Sequence, residues 1–391
     1  MPSSLIERAI YDAQTHGKAL LKFISGNDVG TTGSHQCGFY LPKTIWRHYT
    51  CNPPEQGKLS KEDVRITWQD GLVTESVITW YGKKTRSEYR LTRFGRDFQW
   101  LSQNQVGSLL MLIPRGKSDF LAYIAETDDD IEDVVSALGL SGFDESWALF
   151  DSSQAQVVED PDACVSRNFA EFIAPISDFP APREFSKTTF ETLSRCLSGF
   201  SKEISDSRLL KLIDYEYRLF RLAEKRIYSN ILTRPFESID QFLKTASSIM
   251  NRRKSRAGAS FENHVETILR SENIPFASHP VVDKTEPDII IPSAEAYYNH
   301  AYPPDKIFVL ALKTTCKDRW RQVVSEAPKV RVKHLMTVQQ GISQNQLDEI
   351  SRADVSLVVP AALHGCYPSS GRSALSTVES FISRVKTALD I

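Results

Sequence analysis

The sequence has few of the features that settle a function at once. None of its six cysteines sits in a CxxC pair or at a Cys/His metal-ligand spacing, so neither a zinc site nor a disulfide framework is expected. No stretch approaches the roughly eighteen apolar residues of a membrane-spanning helix, and the opening MPSSLIERAIYDAQ lacks a signal-peptide apolar core. A cytoplasmic chain with no membrane partner is expected. Internal repeats and low-complexity tracts are absent as well. Net charge is nearly zero, at −2, yet the cations are clustered: KKTR at 83–86 with Arg90 and Arg93, RRK at 252–254 with Arg256, and KDRWR at 317–321. A phosphate backbone responds to local cation density rather than to the total, so a polyanionic partner stays open; solvated helix faces are the alternative.

What is present is globular. With 391 residues the chain exceeds one ordinary core, and 41% hydrophobic with 25% charged residues excludes a largely disordered chain, so two packed domains are expected. The first 150 or so residues alternate short apolar runs with turns, as in ALLKFISGND, VRITWQDG, SVITWYG, YRLTRFGRD, LLMLIPRG and FLAYIAETDDD. Period-two patterning with Gly, Asp and Asn punctuation predicts a mainly β barrel, with helices near 4–14 and 129–138. FIAPISDFPAPREFS at 172–186 places three prolines between apolar patches, which suits an extended hinge. The predicted division is therefore residues 1–172, a hinge at 173–186, and a second domain at 187–391.

Beyond the hinge the pattern turns helical, at about 188–198, 206–230, 237–250 and 257–271. Short strands follow at 287–291, 306–313, 332–338 and 354–360 with helices between and after them, predicting an α/β domain with a central mixed sheet flanked by helices. The chemistry gathers here. Asp288 opens the apolar run III, and Lys313 ends the strand VLALK, so adjacent strands could bring the two together. Glu326 follows on a predicted helix whose apolar face is Trp320, Val323, Val324 and Ala327, with Arg319 and Gln322 on its own flank. Two carboxylates beside one lysine suit Mg²⁺, which polarises a phosphoryl oxygen and lowers the pKa of bound water, while the ammonium steadies developing charge. That is phosphodiester hydrolysis. The bland alternatives are a strand-end lysine reaching solvent, an aspartate that begins a turn, and a surface glutamate.

In the usual nuclease pattern the second acid stands two residues before the lysine, where this chain has Ala311; Glu326 would substitute for it. Just beyond, Lys317, Asp318 and Arg319 form a cluster able to read major-groove edges, with Lys and Arg donating to guanine and Asp accepting from cytosine. Alternatively, Thr315 and Asp318 stand at a capping-box spacing and cap the following helix.

SRAG at 255–258, PD at 287–288, ALKTTCKDRWRQ at 311–322 and the glutamate of SEAPK resemble the EcoRII family of restriction endonucleases, as do SGNDVGTTGSHQCGFYLPK and KTRSEYRLTRFGR near the N-terminus. The resemblance covers most of the chain and is weakest over the linker and residues 100–170. It implies a homodimeric Type IIE enzyme that cuts double-stranded DNA with Mg²⁺ at a site such as 5′-CCWGG and is stimulated by further copies of that site. A companion DNA methyltransferase would belong to the same restriction-modification system. The implied fold is an N-terminal DNA-binding pseudobarrel, which covers the catalytic cleft until it binds DNA, followed by a restriction-endonuclease-like domain.

By the same resemblance Asp288, Lys313 and Glu326 fall on the catalytic residues, with Asp288 and Glu326 holding metal, and Glu262 on an additional acid near it. Glu262 and Glu266 lie four apart on the helix after SRAG, over a buried stripe of Phe261, Val265, Ile268 and Leu269. Lys317, Asp318 and Arg319 fall on base-reading positions for the CC and GG portions of the site. Tyr217 falls on the aromatic of a flipped-base pocket whose arginine position holds Leu212, and Tyr297 on a tyrosine near the catalytic centre. In the pseudobarrel His35, Tyr40, Lys84, Arg86, Glu88 and Arg90 fall on DNA-cleft positions. The last four alternate along a probable strand and share a face, and Tyr89 replaces a lysine. Two other readings stay open: a DNA-binding regulator with a silent nuclease-like domain, and a structure-specific repair nuclease.

Overall fold

A computed structural model describes residues 4–30, 37–45, 49–50, 55–82, 87–96, 98–140, 147–152 and 163–391. The chain divides into two compact units, residues 1–155 with 339–349 and 363–373, and residues 156–338 with 350–362 and 374–391.

The N-terminal unit holds strands β1 Lys18–Phe23, β2 Phe39–Leu41, β3 Leu59–Trp68, β4 Val73–Tyr81, β5 Glu88–Thr92, β6 Leu109–Pro114, β7 Asp119–Ala125 and β8 Trp147–Asp151. They form one curled sheet in the order β2-β5-β4-β3-β7-β6-β1-β8, antiparallel except where β3 runs parallel to β7. The alternation read from the sequence follows the pleat. In β3 Val64, Ile66 and Trp68 point inward, and the following Gln69–Asp70–Gly71 turn reverses the chain, with Gly71 at φ 87 where a side chain would be strained. Inside, Phe39, Trp68, Phe94 and Phe98 pack ring on ring. The other face is covered by helices α1 Leu5–His16 and α2 Asp128–Leu138, whose Ile6, Ala9, Ala13, Ile131 and Val134 meet Leu21, Met111 and Ile113.

One charge pair lies within this apolar unit. Asp28 is fully buried; its Oδ2 accepts from Lys22 Nζ at 2.5 Å, from Ser25 N at 2.7 Å and from Ser25 Oγ at 2.7 Å, while Oδ1 accepts from Tyr40 N at 2.6 Å. A single carboxylate thus ties β1 and its following turn to β2.

The C-terminal unit contains α3 Ala163–Ile173, α4 Pro182–Cys196, α5 Ser205–Leu232, α6 Ile239–Ser271, β9 Ala277–Ser278, β10 Ile289–Ile291, α7 Ala294–Tyr298, β11 Phe308–Lys313, α8 Trp320–Val324, β12 Lys333–Thr337, β13 Val355–Val358 and α9 Val378–Leu389. The sheet runs β13-β12-β11-β10-β9, antiparallel from β9 to β11 and parallel from β11 to β13, so it is mixed as expected. Both faces of its centre are buried, which explains the unbroken apolar runs III and FVLAL. Ile289, Leu310 and Leu312 pack on Phe261, Val265 and Leu269 of α6 and Phe381 of α9, while Ile290 and Val309 face Tyr297 and Ala327.

Three local expectations change. The stretch predicted as an extended hinge turns helical at Pro182, since proline at the first position of a helix loses no hydrogen bond and brings the right φ. The two helices predicted at 237–250 and 257–271 are one 33-residue helix. Gly258 does not break it, because the stretch is bound to α5: Arg253 donates to both oxygens of Glu224, at 2.6 and 2.8 Å, and Arg256 stacks on Tyr217 and Phe220. Finally, Cys164 and Cys196 form a disulfide between α3 and α4, with Cα atoms 5.6 Å apart. Separated by 32 residues and without motif spacing, that pair was invisible to sequence reading, and the cysteine pattern therefore carries no statement about redox compartment.

Asp206 joins distant parts of this unit. Buried at the start of α5, it accepts from Ala361 N at 2.8 Å, Val378 N at 3.1 Å and Glu379 N at 2.8 Å, capping α9, and Glu379 in return accepts from Ser205 N.

Asp28→Ala is expected to destabilise the N-terminal unit by about 3–5 kcal/mol, because it strands the Lys22 ammonium in an apolar surround. The double change Lys22→Met with Asp28→Asn should cost less than Asp28→Ala alone. Urea unfolding of the three proteins, followed on the transition of this unit, checks both statements.

Candidate active site

The pairing register places the site. Ile289 stands opposite Leu310, so Asp288, one residue before β10, comes alongside the last residues of β11. Its Oδ2 accepts from Leu312 N at 2.6 Å and from Lys313 Nζ at 2.9 Å, and its carbonyl accepts from His279 N at 2.9 Å. Asp288 is 9% exposed and Lys313 half-buried. The lysine that seemed misplaced at the end of an apolar strand is there because its partner ends the neighbouring strand.

Glu326 reaches this pair, though not from a helix. α8 stops at Val324, and Glu326 lies in the bend after it, so the predicted apolar face is only partly formed and Val324 is exposed. The bend is fixed from below: Ala327 is fully buried at φ 41, and its N–H donates to Thr285 Oγ1 at 3.1 Å. Glu326 Oε2 is buried without a hydrogen-bond partner. Burial first, and then the charge of Asp288, push its carboxyl up to about 7 against the opposing pull of Lys313 and Lys333. Glu262 on α6 is also raised, by burial and then by Asp288, with His279 and Lys313 opposing. Asp288 and Lys313 therefore lie within range of the charge of both Glu326 and Glu262, which come from elements far apart in the chain.

Among the described residues no three His, Cys, Asp or Glu side chains assemble as a ready metal cluster. The position the orthodox second acid would take is Ala311, fully buried in β11. Two carboxylates, one bearing an orphaned buried oxygen and pushed toward its protonated form by burial and then by the other's charge, nevertheless fit a hard divalent ion, its other positions being left to water and a phosphate.

The remaining candidates fall into separate places. Lys317, buried, Asp318, exposed, and Arg319, half-buried, form the turn between β11 and α8. That helix begins at Trp320 with Arg319 at its N-cap and no side-chain cap, and Thr315 Oγ1 is buried without a partner, so the Thr315–Asp318 capping box does not form. Tyr297 is locked away from Asp288: its hydroxyl donates to Asp283 Oδ2 at 2.7 Å and accepts from Lys329 N at 3.3 Å, and burial with the Asp283 bond raises it to about 12. Tyr217 is buried on α5 with Arg256 4.9 Å from its ring, and Leu212 lies in the apolar core. A cavity of about 580 Å³ opens beside them, lined by Phe179, Phe220, Asn251, Arg252 and Arg256 among others.

In the N-terminal unit Tyr40 and Arg90 are paired across β2 and β5, with the Arg90 guanidinium 5.7 Å from the Tyr40 ring and the Tyr40 hydroxyl bonded to Glu88. Glu88 and Arg90 share a face as the alternation predicts, and Tyr40 joins them from β2; His35, Lys84 and Arg86 lie outside the described residues. Tyr89 points the other way, into the core against Trp80, so its replacement of a lysine does not alter that face. Nothing in the sequence marks His279, Lys333 or Thr285, which the fold brings to the centre.

Comparison with known proteins identifies the family. The family profile described as EcoRII C terminal matches residues 220–382, and that described as restriction endonuclease EcoRII, N-terminal, matches residues 13–138. The Type II restriction enzyme EcoRII of Escherichia coli is 30% identical over 393 residues, 93% of each chain. The chain belongs to the EcoRII family of Type II restriction endonucleases. The Type II restriction enzyme SsoII of Shigella sonnei is 25% identical over 170 residues, 41% of this chain and about half of that one, at 53%. Solved structures similar to this EcoRII-family chain include metal-depleted Ecl18kI with uncleaved, modified DNA, at TM-score 0.45 and 19% identity over 56% of this chain and 83% of that one. Another is a PspGI–substrate DNA complex, at TM-score 0.45 and 14% identity over 54% and 94%.

The raised Glu326 carboxyl sets a pH signature. The folded protein keeps a proton there up to about pH 7, whereas the unfolded chain releases it near the ordinary 4.5. Between those values the folded state binds more protons, so its stability falls as pH rises, and the loss is complete above 7. Urea unfolding without divalent ions is expected to show this decline, and Glu326→Gln to make it shallower.

Proposed function

We propose that this chain is a Mg²⁺-dependent endonuclease of the IIE kind, acting as a homodimer on double-stranded DNA. Its site would read CC and GG around a short centre, as in 5′-CCWGG, with a companion methyltransferase protecting host copies. The observation that carries the reading is the Asp288–Lys313 pair at 2.9 Å with the unpartnered Glu326 oxygen beside it.

In this reading Asp288 and Glu326 hold the divalent ion, and Glu262 supports them. When bound, the ion polarises the scissile phosphate and lowers the pKa of a water molecule. Lys313, fixed by Asp288, places its ammonium against the charge that develops on the phosphoryl oxygens. Glu326, whose burial disfavours its charged form, becomes a carboxylate when a cation supplies the missing counter-charge. Lys317, Asp318 and Arg319 follow the strand that carries Lys313, so base reading would be coupled in position to cleavage. Tyr217, with Arg256 stacked on it in place of the arginine absent at Leu212, would form the wall of a pocket for an extruded central base.

The N-terminal domain takes the effector role in this proposal. Tyr40, Glu88 and Arg90 form a face with donors for phosphates and one acceptor for a cytosine edge, with His35, Lys84 and Arg86 assigned to the same cleft by resemblance. DNA bound there would release the catalytic domain from inhibition.

Lys313→Ala is expected to lower the cleavage rate at least ~100-fold while leaving specific binding intact. Plasmid digestion with and without Mg²⁺, alongside a gel-shift titration, reads both, and full cutting by this variant would refute the assignment. Asp318→Ala should lose about 1–3 kcal/mol of discrimination at its base pair. Cleavage-end sequencing that finds unchanged selectivity would remove it from base reading. A cognate oligonucleotide added in trans should stimulate cutting of a single-site plasmid by about 5- to 150-fold, the span of ordinary allosteric coupling. No stimulation would argue against the effector role.

A further inference from the structure

Two consecutive residues at the end of β9 clasp α6 to the sheet beside the candidate centre. Ser278 Oγ donates to Glu266 Oε1, and His279 Nε2 stands 3.3 Å from Glu262 Oε2. The two glutamates are one helical turn apart, so the clasp grips a single face of α6. Its other end is anchored on Asp288: Ser278 pairs with Ile289, and His279 N donates to the Asp288 carbonyl.

His279 adopts φ 47, in the left-handed region that a residue with a side chain rarely occupies. That conformation ends the strand while the ring meets α6. Its contact is also the one hydrogen-bonding partner of the Glu262 carboxylate among the described residues. His279 thus links the Glu262 carboxylate to the backbone of Asp288. Both side chains border an open cavity of about 390 Å³, with Asn263 and Arg183.

We propose that His279 is a positioning residue: it holds the Glu262 carboxylate toward Asp288, adding from α6 a third acid to Asp288 and Glu326. The proposal rests on the nuclease reading given above. It explains why an exposed histidine keeps a strained backbone, and why the Glu262 helix and the Asp288 strand are joined at this point.

Two variants of the full chain separate side chain from backbone. Asparagine accepts the left-handed conformation but is too short to reach Glu262, whereas glutamine has the reach. His279→Asn is expected to weaken Mn²⁺ binding, measured by calorimetry, by about tenfold or more, the scale on which outer-shell partners act, and to slow single-turnover DNA cleavage in parallel. DNA affinity without divalent ions should not change, and His279→Gln should recover most of both losses. Equal Mn²⁺ affinity in wild type and both variants overturns the proposal, whatever the cleavage rates. Equal loss in Asn and Gln also overturns it. A wild-type chain whose Mn²⁺ binding depends on His279 in this way, yet which cuts no DNA, would uphold the clasp and remove the nuclease reading instead.

Discussion

The catalytic unit depends on how the Asp288 carboxylate is shared. Its Oδ2 is bonded both to the backbone of β11, through Leu312, and to the side chain that ends it, Lys313, while the residue's carbonyl holds β9 through His279. The carboxylate oxygen therefore ties this residue to β11, and its carbonyl ties it to the end of β9. A nearly buried carboxylate persists only when its charge is matched and its lone pairs are filled, and here strand pairing supplies both. Asp288 and Lys313 are held firmly because they are part of the sheet's own hydrogen bonding.

Around that pair the fold collects acids faster than cations. Glu326 arrives from a bend locked by Ala327 and Thr285, and Glu262 from a helix held by His279. Burial, and then the charge of Asp288, push both glutamates toward the protonated form against the pull of Lys313. Such unmatched negative potential costs stability in the protein as it stands. The N-terminal unit handles charge in the opposite way, since Asp28 and Lys22 neutralise each other completely and serve only to join β1 to β2.

Much of this was legible beforehand. Strand patterning located β10 and β11, because residues buried on both sheet faces read as uninterrupted apolar runs, and the two polar residues closing those runs, Asp288 and Lys313, stood out against them. Glu326 stands out by its spacing and by the resemblance, but on a predicted helix that the structure does not form there. The five-residue α8 ends early because Ala327, with φ 41, takes a conformation no helix allows, and that is imposed by the Val282 and Ile290 surface beneath it. The continuity of α6 through SRAG was missed for a similar reason: local propensity favoured a break, and salt bridges and stacking to α5 outweighed it.

Period and composition by themselves determined a β-rich unit followed by an α/β unit with a mixed sheet, because alternation and helical spacing are properties of neighbouring residues. They also singled out the acids and the lysine, since charge at the end of a buried strand is costly unless it has a purpose. Tertiary structure alone decided that Tyr297 bonds to Asp283 rather than to the centre, that Tyr89 faces inward, that Cys164 meets Cys196, and that His279 meets Glu262. Each of these depends on which surfaces lie against one another across long sequence separations, and spacing along a chain does not encode the direction in which a loop side chain points.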